Sequence, residues 1–328
     1  MEFRSIERAP GAFQQPVTAG QIHAMCRRAF GASVSAVSAV ELGNGMYNST
    51  YRVDLGSGLP VILRVAPERP AVPHRAGVDA QRARERAVPR PDRAADAAHA
   101  RDRLHHEIIG RDYLFQTMLD GVPAPDGLGA YPRPEWASFF RRMGTIARDI
   151  HAVRGRRFGP VNGPAFTTWS EAVIASLDDT AADLDDVGLD ATDVRELAAA
   201  ADRHRAVLDE ITEPRLLHGD LWTVNVMIEP GAPEPTISGV FDCDRTSWGD
   251  PESDWTIFMA GRRPGTERDA FWETYGSRSS TPGAAWRALL YRARHLAAVR
   301  LERHRLGNSE AVPDTYDDLR DVLALLTA

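Results

Sequence analysis

Apolar positions change their period several times along this chain. Residues 18–30 repeat at helical spacing between Thr18, an N-cap type, and Gly31, a terminator. Residues 34–42, 47–55 and 59–66 alternate apolar and polar positions and are joined by Gly-rich turns, which predicts a small antiparallel sheet. The pattern then fails. Residues 68–106 hold nine Arg, ten Ala, four Pro and four His, one Leu, and no Ile, Phe, Tyr or Trp, so no face there can be buried. It returns at Glu107–Met118 as a strand and its exit. Helical periodicity dominates afterwards, over 135–153, 169–178, 192–210, and near 251–260, 267–275, 283–305 and 315–326. Short strands interrupt it. Leu216 and Leu217 lead into His218-Gly219-Asp220, and Val224, Val226 and Ile228 alternate with Asn225, Met227 and Glu229. Ile237, Val240 and Phe241 read as a partner strand that delivers Asp242 at its end. A β-rich part followed by a mostly helical part with strands inserted is an α+β organisation.

Composition narrows the classes. At 328 residues, 43% apolar and 26% charged, the chain can bury a large core and is expected to split into two lobes. No apolar run reaches membrane-spanning length, and Met1–Pro16 lacks the apolar core of a signal peptide. Cys26 and Cys243 make no disulfide framework, and Cys243 reads as a small packing residue. These features predict a cytoplasmic protein without a membrane partner. A formal net charge of −7 argues against nucleic acid as a partner and is compatible with a cationic small substrate.

Two motifs carry chemistry: Leu217–Ile228, containing His218-Gly219-Asp220 and Asn225, and Val240–Arg245, containing Asp242, which runs on to Gly249-Asp250-Pro251. They bring a carboxylate, an amide five residues later and a second carboxylate onto adjacent short strands. Phosphoryl transfer from a nucleotide uses that set: one Asp takes the proton of the attacking hydroxyl, while an Asn and another Asp hold Mg²⁺. A lone Asp here would be a loop cap; the paired motifs in this order carry the reading. Asp250 before Pro251 is independently a helix N-cap followed by a proline in the first turn.

These residues resemble the aminoglycoside phosphotransferase and choline kinase family, the small-molecule relatives of protein kinases, and within it the antibiotic-kinase pattern. The resemblance implies a two-lobed protein-kinase-like fold, with 1–118 as a nucleotide-binding lobe and 119–328 as a catalytic and acceptor-binding lobe. It implies that Asp220 is the catalytic base and that Asn225 and Asp242 are Mg²⁺ ligands. His218 and Asp244 would support the loop, and Asp250 and Asp254 would brace it. For ATP or GTP it implies a phosphate-holding turn with Gly43, Gly45, Asn48 and Ser49, and a hinge at Gln116 and Met118 that meets the purine. The chain has no lysine, so Arg64 stands where the family keeps a phosphate-pairing Lys. A guanidinium can serve, with a larger fork and different geometry. Residues 68–106 occupy the place of the helix that carries that residue's Glu partner. They read either as a disordered insert or as a change of reading frame. Shifting His74–Arg86 by one base, with codons chosen freely, can give TERELMRNEHA, an acidic-apolar helix. Glu85 is then no substitute for the missing Glu.

Asp178, Asp179, Asp183, Asp185, Asp186, Asp190, Asp193 and Glu196 form an acidic run. Such a run is a solvated face or, at the family's acceptor position, an anionic wall for a polycation. On the second reading Asp183, Asp185 and Asp186 are acceptor residues; Asp314, Asp317, Asp318 and Asp321 are a further candidate. The expected activity is transfer of the γ-phosphate of ATP or GTP to a hydroxyl of a small, cationic molecule, with an antibiotic favoured. A metabolic kinase of choline, a sugar or an amino-alcohol, and a non-catalytic nucleotide-binding module, are the alternatives.

Overall fold

A computed structural model describes residues 1–9, 12–43, 45, 47–56, 58–67, 106–255, 258–259 and 263–327. The expectations for 68–106 therefore lie outside the described residues, save at His106. The chain forms two compact units that divide between Met118 and Leu119.

The N-terminal unit contains β1 (Glu2–Arg4), α1 (Ala19–Phe30), β2 (Ala36–Glu41), β3 (Ser49–Leu55), β4 (Pro60–Val65), α2 (His106–Ile109) and β5 (Tyr113–Thr117). The strands make one sheet in chain order. Four are antiparallel as their alternation predicts, but β1 adds a parallel edge beside β2. Nothing in the polar N-terminal sequence marks β1. α1 starts at a capping box between Thr18 and Gln21 and stops at Gly31, where φ is 106°. Its Ile22, Met25 and Cys26 pack on one sheet face, built from Tyr51, Val53, Leu63, Val65, Tyr113 and Phe115. Strand periodicity puts Thr50, Ile62, Arg64, Leu114 and Gln116 on the other face.

The C-terminal unit contains β6 (Val122–Pro123), α3 (Ala124–Gly127), α4 (Trp136–His151), β7 (Gly159–Pro160), α5 (Trp169–Asp186), α6 (Thr192–Arg203) and α7 (Arg205–Leu208). It continues with β8 (Arg215–Leu217), β9 (Val226–Ile228), β10 (Ile237–Val240), β11 (Ser247–Gly249), α8 (Pro251–Trp255), α9 (Ala270–Tyr275), α10 (Pro282–Arg305) and α11 (Val312–Thr327). α5 runs eight residues past the predicted end because Leu184 still packs into the core. The predicted helix 192–210 breaks at His204, whose ring Nδ1 lies 3.0 Å from the Ala200 carbonyl. One core joins α5, α6, α10 and α11 through Leu177, Leu197, Leu290 and Leu319. A second sets Phe139, Phe140 and Met143 of α4 against Phe271 and the short strands, through Leu221, Val226 and Ile228. Two three-stranded sheets, β10-β9-β6 and β7-β11-β8, carry the loops that bear the motif residues.

Candidate active site

The loop after β8 is held from beneath by one buried carboxylate. Asp254 accepts the His218 N–H at 2.8 Å on Oδ2 and the Gly219 N–H at 2.6 Å on Oδ1. His151 Nε2 lies 2.9 Å from the same Oδ2, and its Nδ1 lies 2.9 Å from the Tyr275 hydroxyl. Since a carboxylate only accepts, the ring donates from Nε2, and Nδ1 shares a second hydrogen bond with the Tyr275 hydroxyl. Burial would push Asp254 up, but the His151 hydrogen bond and charge, with the loop N–H groups, hold it below the usual carboxylate range. Asp250 is a second brace. It caps α8 through the Glu252 N–H at 3.0 Å and accepts the Tyr291 hydroxyl at 2.7 Å, and burial raises it. Both carboxylates therefore hold the frame.

Gly219 has φ 84°, and a Cβ there would land on the Arg245 carbonyl oxygen. The 243–246 turn thus packs directly on the loop, an approach only glycine permits. Cys243 Sγ lies 3.6 Å from His218 Nε2, so it packs on the loop as a small side chain. Thr246 closes the turn around Asp244 by donating its N–H to the Cys243 carbonyl at 3.1 Å.

The three motif residues meet, though not on neighbouring strands as the alternation predicts. Asp220 stands in the loop, and Asn225 ends a 3₁₀ turn (Thr223–Asn225) closed on the Trp222 carbonyl. Val224 is turned out of the strand register, and only Val226–Ile228 pair as a strand. Asn225 is buried and donates from Nδ2 to the Asp220 carbonyl at 2.8 Å and to Asp220 Oδ2 at 3.0 Å. That orientation points Asn225 Oδ1 the other way, and it accepts no hydrogen bond among the described residues. The Phe241 N–H donates to the Asn225 carbonyl at 3.0 Å, which sets Asp242 beside the pair. Asp242 is the one non-glycine residue at positive φ among the described residues, at 61°. Asp tolerates that region better than most residues, at a cost on the order of 1 kcal/mol. An amide oxygen and a carboxylate are hard donors suited to Mg²⁺.

Burial drives the Asp220 carboxyl up to about 6; Asp242 and Glu302 push the same way, while Arg245 and the Asn225 hydrogen bond oppose it. Arg245, which pairs with Glu302 at 3.4 Å, was given no role by the sequence. His151 and Tyr275 were missed as well. The one signal for His151 was a histidine at the end of an amphipathic helix.

In the N-terminal unit, Gly43 adopts φ 72° and the Gly45 and Asn48 carbonyls accept Gln14 Nε2 at 2.6 and 3.1 Å. Asn48 and Ser49 are buried, so their side chains shape this turn from within. Arg64 and Gln116 are half-buried on the sheet face opposite the α1 core, and Met118 ends the unit.

Three of the eight carboxylates of the acidic run are held by arginines. Asp185 pairs with Arg195 and Asp183 with Arg305. Asp193 holds the fully buried Arg300 with two bonds of 2.6 and 2.8 Å. Asp186 is exposed at the end of α5. Asp317 pairs with Arg320 on the surface.

A model described as the phosphotransferase enzyme family, APH, matches residues 38–291. No curated protein sequence matches the chain. Among solved structures, a thermostable mutant of aminoglycoside phosphotransferase APH(4)-Ia, in ternary complex with AMP-PNP and hygromycin B, is 17% identical with a TM-score of 0.61. The match covers 93% of this chain and 98% of that one. A GDP and kanamycin complex of APH(2")-IIia is 16% identical, covering 92% and 97%, with a TM-score of 0.58. A putative fructosamine-3-kinase from Thermobifida fusca YX-ER1 is 21% identical, covering 94% and 100%, with a TM-score of 0.56. At these identities the likeness shows the protein-kinase-like fold.

Proposed function

Because this chain belongs to the phosphotransferase enzyme family, we propose that it moves the γ-phosphate of ATP or GTP onto a hydroxyl of a small molecule, with Asp220 as base. The observation that carries the reading is the Asn225 Nδ2 bond to Asp220 Oδ2 at 3.0 Å. It fixes the base and leaves the amide oxygen to work with the Asp242 carboxylate. Asn225 and Asp242 would hold Mg²⁺, which when bound supplies positive charge against the nucleotide phosphates. Asp220 orients the acceptor hydroxyl and takes its proton. Asp254 and His151 hold the loop still, so that positioning and fixed charge supply most of the acceleration. In the N-terminal unit, the backbone at Gly43 and Gly45 and the Arg64 guanidinium are assigned to the phosphates, and Gln116 and Met118 to the purine. Asn48 and Ser49 keep that turn in shape.

The kanamycin and hygromycin B complexes of the structural neighbours support an antibiotic acceptor, while the fructosamine-kinase neighbour supports a sugar-derived metabolite. In the acidic run Arg195, Arg300 and Arg305 answer Asp185, Asp193 and Asp183, and the other five carboxylates have no arginine partner among the described residues, so the run still fits a cationic acceptor. No helix among the described residues is long and apolar enough to cross a membrane, and we place the enzyme in the cytoplasm with its nucleotide. Release of ADP or GDP by purified protein, screened over antibiotics and hydroxylated metabolites, tests the function. The reading fails if no hydroxyl compound stimulates release, or if Asp220→Asn does not abolish the stimulation.

A further inference from the structure

The segment between β1 and α1 carries no motif, yet it runs along the Gly43–Ser49 turn. Ile6 packs on the turn's first glycine: a Cβ on Gly43 would come 2.6 Å from Ile6 Cδ1. Gln14 holds the other limb through its two Nε2 bonds to the Gly45 and Asn48 carbonyls, at 2.6 and 3.1 Å. Phe13 sets its ring edge-on to Tyr47, with centroids 5.3 Å apart. Where the turn enters β3, the Ser49 hydroxyl donates to the Gln15 carbonyl at 3.4 Å.

The segment is anchored in turn. Glu41, the last residue of β2, is buried and accepts the Ile6 N–H on Oε2 at 2.8 Å. Arg8 Nη2 lies 2.8 Å from Glu41 Oε1 and donates to Gln14 Oε1 at 2.9 Å. The Gln14 amide is thus oriented from both ends. A guanidinium only donates and a carbonyl only accepts, so Nε2 must face the turn. A buried carboxylate needs a paired charge, and Arg8 supplies it to Glu41. Further along, Arg111 donates to Gln15 Oε1 at 3.3 Å and to the Pro16 carbonyl at 3.2 Å, and the Val17 N–H donates to the Tyr51 hydroxyl at 3.3 Å. Contacts run without a gap from the sheet through Glu41, Arg8 and Gln14 to the turn.

A turn with glycines has many backbone states, and ordering it when a ligand arrives weakens binding. It also carries carbonyls, which repel a phosphate, whereas N–H groups are what such a turn offers an anion. Gln14 draws two carbonyls to its own side and so lowers both penalties. We propose that Gln14, set by Arg8 on Glu41, is a positioning residue for the nucleotide phosphates: it holds the Gly43–Ser49 turn in its receiving shape before the nucleotide binds. This rests on the reading of that turn as the phosphate site and adds the residues that keep it in order.

Calorimetry on the full chain compares Mg-AMP-PNP with adenosine, or Mg-GMP-PNP with guanosine where the wild type binds these. Gln14→Met keeps the length and the neutrality of the side chain and loses its polar atoms. Binding of the nucleotide should weaken about fivefold or more, the scale of one or two net hydrogen bonds, and that of the nucleoside by less than about twofold. The nucleoside has no phosphates, so a change that merely loosens the unit would weaken both alike. Arg8→Gln should weaken the nucleotide as well. The two changes together should have less than the product of their separate effects, because Arg8 acts through Gln14. If Gln14→Met does not fold, Gln14→Ala must show the same selective loss. Equal loss of nucleotide and nucleoside, or wild-type affinity for both, overturns the proposal. So does an effect of Arg8→Gln that is undiminished in the Gln14→Met background. A wild type that binds nucleotide and nucleoside equally would instead defeat the reading of the turn as the phosphate site, and one that binds neither would defeat the kinase reading itself.

Discussion

The C-terminal unit holds two clusters of carboxylates, and they are built in opposite ways. Around the loop after β8, Asp220, Asp242, Asp250 and Asp254 sit in the frame of β8, β10 and α8; Asp220, Asp250 and Asp254 are fixed by hydrogen bonds, and Asp242 follows Phe241, whose N–H bonds the Asn225 carbonyl. At the end of α5 and the start of α6, Asp183, Asp185, Asp186 and Asp193 lie on helix surfaces and, where they are held, are held by arginines of the same unit. The first cluster has one carboxylate pushed up to about 6 and another held below its ordinary range. Environment, rather than the number of acids, marks a reacting group.

The sharpest way to break the contrast is to remove the base. Asp220→Asn keeps the shape and can still meet Asn225, but it has no charge with which to take a proton. Its kcat should fall by about a hundredfold or more, the usual worth of a general base, with nucleotide affinity nearly intact. A variant that keeps a tenth of the wild-type rate removes Asp220 from the chemistry.

Next comes the brace. Asp254→Ala strips the His218 and Gly219 N–H groups and His151 of their common acceptor. Unpaired buried donors should lower stability by about 3 kcal/mol, seen as an earlier urea midpoint, and kcat should fall with the loosened loop. Full stability in this variant would mean that the loop does not depend on Asp254.

A third measurement concerns pH. A base must be ionised, so kcat/KM should fall as pH drops through about 6, the value to which burial has pushed Asp220. Arg245 opposes that shift. Arg245→Gln should therefore move the acid limb to higher pH, whereas Asp185→Asn should leave it in place. An acid limb near pH 4 in the wild type would contradict the burial argument.

The parts of this site that were legible in the sequence are those built from adjacent residues. His218-Gly219-Asp220, the amide at Asn225 and the Asp242 turn needed no knowledge of tertiary contacts, and neither did the cap of α1 or the alternation of β2 to β4. What stayed hidden is made across long separations. His151 reaches Asp254 over 103 residues, and Tyr275 reaches His151 over 124. β1 pairs in parallel with β2 over only three residues, too few for its alternation to mark a strand. Asn225 was misplaced onto a strand because a 3₁₀ turn and a strand can share the same short run of alternating residues.

The smallest effect is expected at the acidic run, which the sequence left open as a solvated face or an anionic wall. Neutralising Asp183, Asp185 and Asp186 together removes two ion pairs, to Arg305 and Arg195, and one exposed charge. The Arg195 pair is about half exposed on both sides, and such pairs contribute roughly 0.2–1 kcal/mol, so stability should change little. The Arg305 pair is better shielded, at 14% and 15% side-chain exposure, and should account for most of any loss. Acceptor KM should move by less than about twofold at low salt, where the screening length grows to about 30 Å at 0.01 M and a true electrostatic wall would show itself most clearly. A severalfold rise in acceptor KM that fades as salt is added would reverse this. It would restore the acidic run as the acceptor's wall, and with it a cationic substrate.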